Sequence, residues 1–259
     1  MKIAIIGAGN MGGAIARGLA HSDIDIKIAV ADLAQDKLDE LKRECASVEI
    51  STDSSAIVAD ADVVLLAVKP WLVEPVIKGV LPQLDLSHQI ILSIAAGVDI
   101  ATLTAWLGNE SAVVFRAIPN TAISIHQSMT FVSHNANASA QQVAEVEAIF
   151  NALGKAAVIE ERLMGAATSL CSCGIAFAMR YVRAATEGGV ELGIYPNDAK
   201  QYVLQTLRGA VELLEATGNN PEVEIDKVTT PGGITIKGLN AMEAHGFTNS
   251  VIEGLKASK

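Results

Sequence analysis

Two glycine-bearing turns, one near each end of a 259-residue chain, carry the chemistry that this sequence can be expected to do. Near the start, Gly7-Ala8-Gly9-Asn10-Met11-Gly12 fits G-x-G-x-x-G, with an apolar strand before it and a helical pattern after it. In such a turn the first glycine permits the bend, the second lets a pyrophosphate approach the backbone, and the third lets helix pack on strand. Gly7, Gly9 and Gly12 take those parts, and the segment with Ala8, Asn10 and Met11 offers helix N-terminal amides to the anion. Near the other end, Pro231-Gly232-Gly233-Ile234-Thr235 opens a second amphipathic run and presents backbone N–H groups to a small carboxylate. The Thr235 hydroxyl sits just inside that turn. A dinucleotide site together with a carboxylate site suggests a reductase.

Asp32 falls at the expected end of the second strand, the position of a ribose-binding acid. Its carboxylate can accept from two ribose hydroxyls and would repel a 2′-phosphate. No Arg follows it closely, and Lys37 and Lys42 belong to what reads as the solvated face of a helix, so the local reading leans toward NADH. Ala67-Val68-Lys69-Pro70 and Ser93-Ile94-Ala95-Ala96-Gly97 follow the fourth and fifth strands. Ligands lie beyond strand C-termini in doubly wound sheets, so Ala67, Val68, Lys69, Pro70, Ala95, Ala96 and Gly97 should line the cofactor cleft. Asn120 ends the sixth strand in Arg116-Ala117-Ile118-Pro119-Asn120-Thr121, where its amide can either meet the nicotinamide carboxamide or close a turn after Pro.

These positions need strands to bring them together. Lys2 to Ile6, Ile26 to Ala31, Val63 to Val68, Gln89 to Leu92 and Val113 to Ala117 are short apolar runs. Helical patterns lie between them at Asn10 to His21, Gln35 to Glu44, Trp71 to Val80 and Ile100 to Leu107. Strands apolar on both faces, alternating with helices, predict an α/β fold with a Rossmann-type, doubly wound parallel sheet over residues 1–161. Met129 to Val132 and Lys155 to Ile159 should add strands at the far edge, with the Ala140 to Leu153 helix between them. From 162 to 259 the pattern is helical only, at Leu163 to Val190, Asn197 to Ala216 and Ile234 to Leu255, which predicts an all-helical C-terminal domain.

Composition restricts the partners. Half the residues are hydrophobic, enough for a core, and the formal charge of −10 has no basic block to offset it, so nucleic acid and anionic membranes are poor partners. A small anion must be bound locally. Cys45, Cys171 and Cys173 lack zinc or redox spacing and read as inert thiols, with no metal site expected. The N-terminus runs straight into a strand without a signal-peptide pattern, so a cytoplasmic protein is expected. The uncharged run from Met164 to Met179 is shorter than a membrane span and rich in small residues, and it reads as a helix buried against protein, with a subunit interface the natural cover.

Taken in order, Ile6 to Gly12, Ala67 to Pro70, Ser93 to Gly97, Arg116 with Pro119-Asn120-Thr121, and Thr230-Pro231-Gly232-Gly233-Ile234-Thr235 resemble pyrroline-5-carboxylate reductase over nearly the whole chain. The first motif is shared by many dehydrogenases, whereas the last is specific to that family. The resemblance implies reduction of the cyclic imine 1-pyrroline-5-carboxylate to L-proline with NADPH or NADH, the last step of proline biosynthesis. It also implies a helical dimerisation domain, with homodimers or higher assemblies of dimers. It further implies that Thr235 hydrogen-bonds the substrate ring nitrogen as the catalytic contact, that amides around Gly232, Gly233, Ile234 and Thr235 hold the carboxylate, and that Thr230 adds a hydroxyl. The chain departs from the family at Ser172-Cys173-Gly174-Ile175-Ala176-Phe177, which lacks a usual proline, at Ile118 and Ala122, and at Lys227. Reduction of another cyclic imino acid, and a nucleotide-sensing protein without catalysis, are the alternative readings. A β-hydroxyacid dehydrogenase is disfavoured because Leu163 to Ala178 offers no catalytic Lys.

Overall fold

Successive residues of the strands alternate between two separate apolar clusters, and this alternation builds the first unit in three layers. Ile3, Ile5, Val30, Val63, Leu65 and Phe115 pack on one face, while Ala4, Ile6, Ala31, Val64, Leu66 and Val114 pack on the other. Both faces are therefore dry, as a sheet covered by helices on both sides requires. A computed structural model describes all of residues 1–259. Contacts divide it into two compact units, Met1–Ser172 and Cys173–Lys259.

In chain order the first unit holds β1 (Lys2–Ile6), α1 (Asn10–Ala20), β2 (Lys27–Ala31), α2 (Gln35–Glu44), β3 (Glu49–Ser51), α3 (Ser55–Val58), β4 (Val63–Leu66), α4 (Pro70–Val80), β5 (Ile90–Ser93), α5 (Ile100–Leu107), β6 (Val113–Ile118), β7 (Ser128–His134), α6 (Ala140–Asn151) and β8 (Gly154–Val158). The eight-stranded sheet has the order β3-β2-β1-β4-β5-β6-β7-β8. Helices α1, α2 and α6 cover the first face, through Ile15, Leu38 and Ile149. Helices α3, α4 and α5 cover the second, through Ile57, Val73 and Leu103. The doubly wound α/β sheet expected from the alternation is present, with one difference: β7 runs antiparallel to β6, and β8 pairs parallel with β7. The segment between β6 and β7 is too short for a crossover helix and holds only a 3-10 turn, Thr121–Ile125, ended by His126 at φ 57°, so the chain doubles back.

Sheet and helix segments extend about as far as the periodicity predicts. The strand β3, three residues long, falls below the length at which a pattern is visible. The compact units meet later than residue 161 because α7 (Met164–Ala167) still belongs to the sheet domain, with Met164 and Ala167 buried. The long helical run beginning near Leu163 is also not uniform: a π-helical stretch, Thr168–Cys173, separates α7 from α8 (Gly174–Glu191).

The second unit continues with α9 (Pro196–Thr217), α10 (Pro221–Lys227), α11 (Ile234–Ala244) and α12 (Phe247–Ala257). The predicted Ile234 to Leu255 helix is two helices, broken where Gly246 takes φ 79°, and α10 was not visible in the periodicity. α8 and α9 pack as a pair, and Tyr181 meets Phe247 edge-on at 6.5 Å. Of residues 173–259 only Ala199 is a buried apolar residue, and Phe177, Met179, Tyr202, Leu204, Val211 and Ile252 are exposed. The segment Glu161–Glu191 is long and apolar enough to cross a membrane by length and composition, and little of it is buried within the chain. The expectation of burial against protein is thus not met inside one chain, which leaves the helices with an apolar surface to be covered.

Candidate active site

Three glycine positions show that the first turn is built for close approach. Gly7 adopts φ 110°, and a Cβ there would lie 2.6 Å from the Ala67 carbonyl oxygen. A Cβ on Gly12 would lie 2.0 Å from the Gly7 carbonyl oxygen and 2.9 Å from the Ala67 Cβ, so only glycine allows α1 to sit against the turn. At Gly9 an added Cβ meets nothing within 4 Å, so the space above it is open. Gly9 is the N-cap of α1, no side chain caps it, and the first turn carries no acid. An uncapped N-terminus with no acid in its first turn is where a pyrophosphate fits, so these residues suit a dinucleotide.

Asp32 does more than the strand-end position suggests. Its Oδ2 accepts from the Ala8 N–H at 2.7 Å and its Oδ1 from the Ala34 N–H at 2.9 Å. The carboxylate therefore ties the glycine turn to the turn after β2. Each oxygen keeps a lone pair for a ribose hydroxyl, but the Ala8 amide is spent on Asp32 and not on a phosphate.

The other turns of the cleft follow the same sheet edge. The Ala67 N–H donates to the Ile6 carbonyl at 2.9 Å, which seats the turn after β4 beside the glycine turn. Val68 packs against the second core, Lys69 is the exposed N-cap residue of α4, and Pro70 occupies its first turn. After β5, the Ala95 N–H donates to Ser93 Oγ at 3.2 Å, Ala96 is exposed and Gly97 takes φ 78°. Asn120 is buried; its Oδ1 accepts from the Ala122 N–H at 3.0 Å and its Nδ2 donates to the Cys171 carbonyl at 3.5 Å. It closes the turn that follows Pro119, and one amide hydrogen and one lone pair remain for a ligand.

Two groups of this region were not singled out as functional from the sequence. Arg116, 8% exposed, donates from Nη1 to Glu161 Oε1 at 2.8 Å, and the same oxygen accepts from the Ile100 N–H at 3.3 Å. This pair fixes the start of α5 to the end of β6. Hydrogen bonding from Thr102 holds the Asp99 carboxyl, the cap of α5, below its usual range, and the Arg116 charge adds to the effect. The other pair is Leu33 and Trp71, large apolar side chains left exposed after β2 and in the first turn of α4. An apolar residue directly after the strand-end acid, and an aromatic directly after Lys69-Pro70, were the sequence signals for them.

In the second unit Thr230 to Gly233 forms a hydrogen-bonded turn. Pro231 takes its second position, Gly232 has φ 74°, and the Gly233 N–H donates to the Thr230 carbonyl at 2.9 Å. Gly233 is then the N-cap of α11 with no side-chain cap, and the first turn of α11 carries no acid. A Cβ on Gly233 would lie 2.9 Å from the Thr230 carbonyl oxygen and 2.6 Å from Thr230 Oγ1, so the turn is tight there. Gly233 spends its own amide on the turn, and the free donors are those of Ile234, Thr235 and the next residue. Ile234 and Thr235 are exposed. The structure thus places Thr230 through Thr235 in one turn-to-helix segment, and the cofactor candidates along one sheet edge of the first unit.

None of the remaining groups forms a rival centre. His21, His126, His134 and His245 each commit Nδ1 to a backbone carbonyl. Burial pushes the Cys45 and Cys171 thiols up, away from the reactive thiolate. No cluster of three or more His, Cys, Asp or Glu is placed to hold a metal.

Residues 161–259 match the family described as pyrroline-5-carboxylate reductase dimerisation, and residues 2–97 match NADP oxidoreductase, coenzyme F420-dependent. Pyrroline-5-carboxylate reductase 2 of Dictyostelium discoideum is 34% identical, over 99% of this chain and 90% of its own. The chain belongs to the pyrroline-5-carboxylate reductase family. Pyrroline-5-carboxylate reductase 1 of the same organism is 37% identical over 99% of this chain, which spans 48% of that longer relative. Among solved structures, the Coxiella burnetii pyrroline-5-carboxylate reductase superimposes with a TM-score of 0.90 at 29% identity, covering 99% of this chain and 95% of that one. The Plasmodium falciparum pyrroline carboxylate reductase, solved with NADP bound, gives 0.89 at 26% identity, covering 100% and 95%. The match over residues 161–259 places the helical unit in a region named for dimerisation.

A pair of substitutions separates folding from binding at the glycine turn. Gly12→Ala is expected to cost about 2 kcal/mol or more and to lower Tm by about 4 to 8 °C, because backbone must shift. Gly9→Ala should leave Tm within about 2 °C, since about 0.5 kcal/mol is at stake, yet weaken NADH binding at least about tenfold by obstructing the pyrophosphate. Thermal melts and calorimetric titration check both, and equal NADH affinity in Gly9→Ala and the native protein would contradict the assignment.

Proposed function

We propose that this protein reduces 1-pyrroline-5-carboxylate to L-proline with NAD(P)H, as an oxidoreductase of proline biosynthesis. The observation that carries the reading is the pairing of two features in a chain related to these reductases along its length. One is the open, uncapped glycine turn, and the other is the uncapped turn-to-helix segment from Thr230 to Thr235.

A protonated cyclic imine is already electrophilic, so the protein has to hold its carbon in line and keep water out. The cofactor, when bound, supplies the hydride. We assign its pyrophosphate to the amides of the Gly9 to Gly12 segment, its ribose to Asp32, and its nicotinamide end to Ala67 through Pro70, Ala95 through Gly97 and Asn120. The Ile234 and Thr235 amides at the start of α11 take the substrate carboxylate, the Gly232-Gly233 turn shapes their approach, and Thr230 borders it. The Thr235 hydroxyl hydrogen-bonds the ring nitrogen and orients the iminium. No strong acid is needed, in keeping with four histidine rings turned onto backbone carbonyls.

The protein is a homo-oligomer acting on a small molecule, and we read the assembly as a homodimer or a set of dimers formed through the helical unit. A second copy of this chain covers Phe177, Met179 and their neighbours better than lipid or nucleic acid would, given a formal charge of −10. Three cysteines without a disulfide fit a cytoplasmic location.

Three outcomes follow from these assignments. Thr235→Ala should lower kcat/KM by about 5- to 150-fold, the 1 to 3 kcal/mol of one hydrogen bond to a charged group, with the fold intact. An unchanged kcat/KM removes Thr235 from the reaction. The native enzyme should use NADH, and prefer it to NADPH, because Leu33 gives no cation beside Asp32. Asp32→Ser should then shift the NADPH-to-NADH ratio of kcat/KM upward by about tenfold, with some loss for both cofactors because the Ala8 anchor goes as well. A strong native preference for NADPH with no shift in the variant would show that Asp32 serves the turn alone. Light scattering at micromolar concentration should show at least a dimer, and a folded, active monomer would refute the interface.

A further inference from the structure

Arg116 is the only charged residue of the chain that is buried. It stands two residues beyond Val114 on β6, so it shares the sheet face of the second core, where an apolar side chain would be the ordinary content. Its register partners are Ser93 on β5 and Ser133 on β7, both buried as well. A polar row therefore replaces the apolar one at this end of the sheet.

Glu161 meets the row through one shared oxygen. Its Oε1 accepts from Arg116 Nη1 at 2.8 Å and from the N–H of Ile100, the first residue of α5, at 3.3 Å. Arg116 Nε and Glu161 Oε2 are buried and have no partner in the chain, so the two groups meet at one point and not as a fork. For stability, an apolar pair of equal volume serves about as well as a buried ion pair. What the ion pair supplies is direction. The turn from Ala95 to Gly97 runs between Ser93, the register partner of Arg116, and Ile100, and its Ala95 N–H is bonded to Ser93 Oγ at 3.2 Å. The Asn120 turn continues β6 beyond Arg116, and Asn120 Nδ2 donates to the Cys171 carbonyl at 3.5 Å. The segment 161–171 is thus bonded to the end of β6 and its turn at both of its ends.

We propose that Arg116 and Glu161 are positioning residues for the reaction, which through the shared Oε1 fix the spacing between the Ala95 to Gly97 turn and the Asn120 turn. This rests on the assignment of the nicotinamide end to those turns. Neither residue touches the reacting atoms; the pair sets the walls that hold the ring, and an error of about 1 Å in such a wall can cost about 100-fold in rate.

The test combines steady-state kinetics with amide hydrogen exchange on the full-length protein. Arg116→Met should lower kcat at least about tenfold while KM for NADH stays within about threefold, because Gly9 and Asp32 are untouched. Only Nη1 is bonded, so Arg116→Lys, which keeps one charged donor, should hold kcat within about threefold. Glu161→Ala removes the shared acceptor from a side chain only about one-third exposed, should lower kcat to a similar extent, and carries the test if Arg116→Met fails to fold. The double variant should lose no more than the worse single one, since both break the same bond. Exchange should quicken together in segments 94–101 and 119–123, and not in the glycine turn. A lower Tm with kcat unchanged, additive losses, or Arg116→Lys failing as badly as Arg116→Met would overturn the proposal. Coupled exchange in both segments of a protein that does not reduce 1-pyrroline-5-carboxylate would uphold the tie between the turns and refute the proposed activity.

Discussion

The contact between Gly12 and the Gly7 carbonyl oxygen is the constraint on which the first unit depends. A single methyl at residue 12 would sit 2.0 Å from that oxygen, so the angle at which α1 leaves β1 exists only with glycine there. Because α1 lies so close, its uncapped N-terminus opens directly over Gly9, and Asp32 is within reach of the Ala8 N–H. The same carboxylate then shapes the turn that carries Leu33. One close approach thus organises the open helix N-terminus at Gly9, the Asp32 carboxylate and the exposed Leu33 along one sheet edge.

The second unit follows a different logic. Its helices leave their large apolar side chains in contact with solvent and bury almost none of them, which a stable isolated domain does not do. Membership in a family with a named dimerisation region turns that excess into an interface. The Pro231 to Thr235 segment is built on a turn that favours glycine through φ at residue 232 and through the close Thr230 carbonyl oxygen at residue 233. On the proposed assignments, substrate binding and assembly share one helical unit, while cofactor binding belongs to the sheet.

Much of this was legible in the residues because alternation and periodicity are repeated signals. Strands β1 through β6, apart from β3, sit within two residues of where the apolar runs place them, and α2 and α5 sit at the predicted residues. What escaped was short or non-local. β3 offers three residues of pattern, and the direction of β7 depends on a connection too short for a helix. The break between α11 and α12 hangs on one left-handed Gly246 inside a continuous apolar pattern. In the site, the motif residues were visible, but not how their hydrogen bonds are spent. That Asp32 holds Ala8, that Gly233 spends its amide on Thr230, and that Arg116 meets Glu161 far along the chain are facts of three-dimensional closure.

The account stands on hydride delivery to the carbon of a cyclic imine held by its carboxylate and nitrogen. Its most direct test is a turnover with NADH deuterated at the transferable C4 position and 1-pyrroline-5-carboxylate, with the product analysed by mass and NMR. The account predicts L-proline carrying one deuterium at the former imine carbon, in proportion to the NADH oxidised. NADH oxidation without labelled proline, or no oxidation by a folded oligomer, would contradict it.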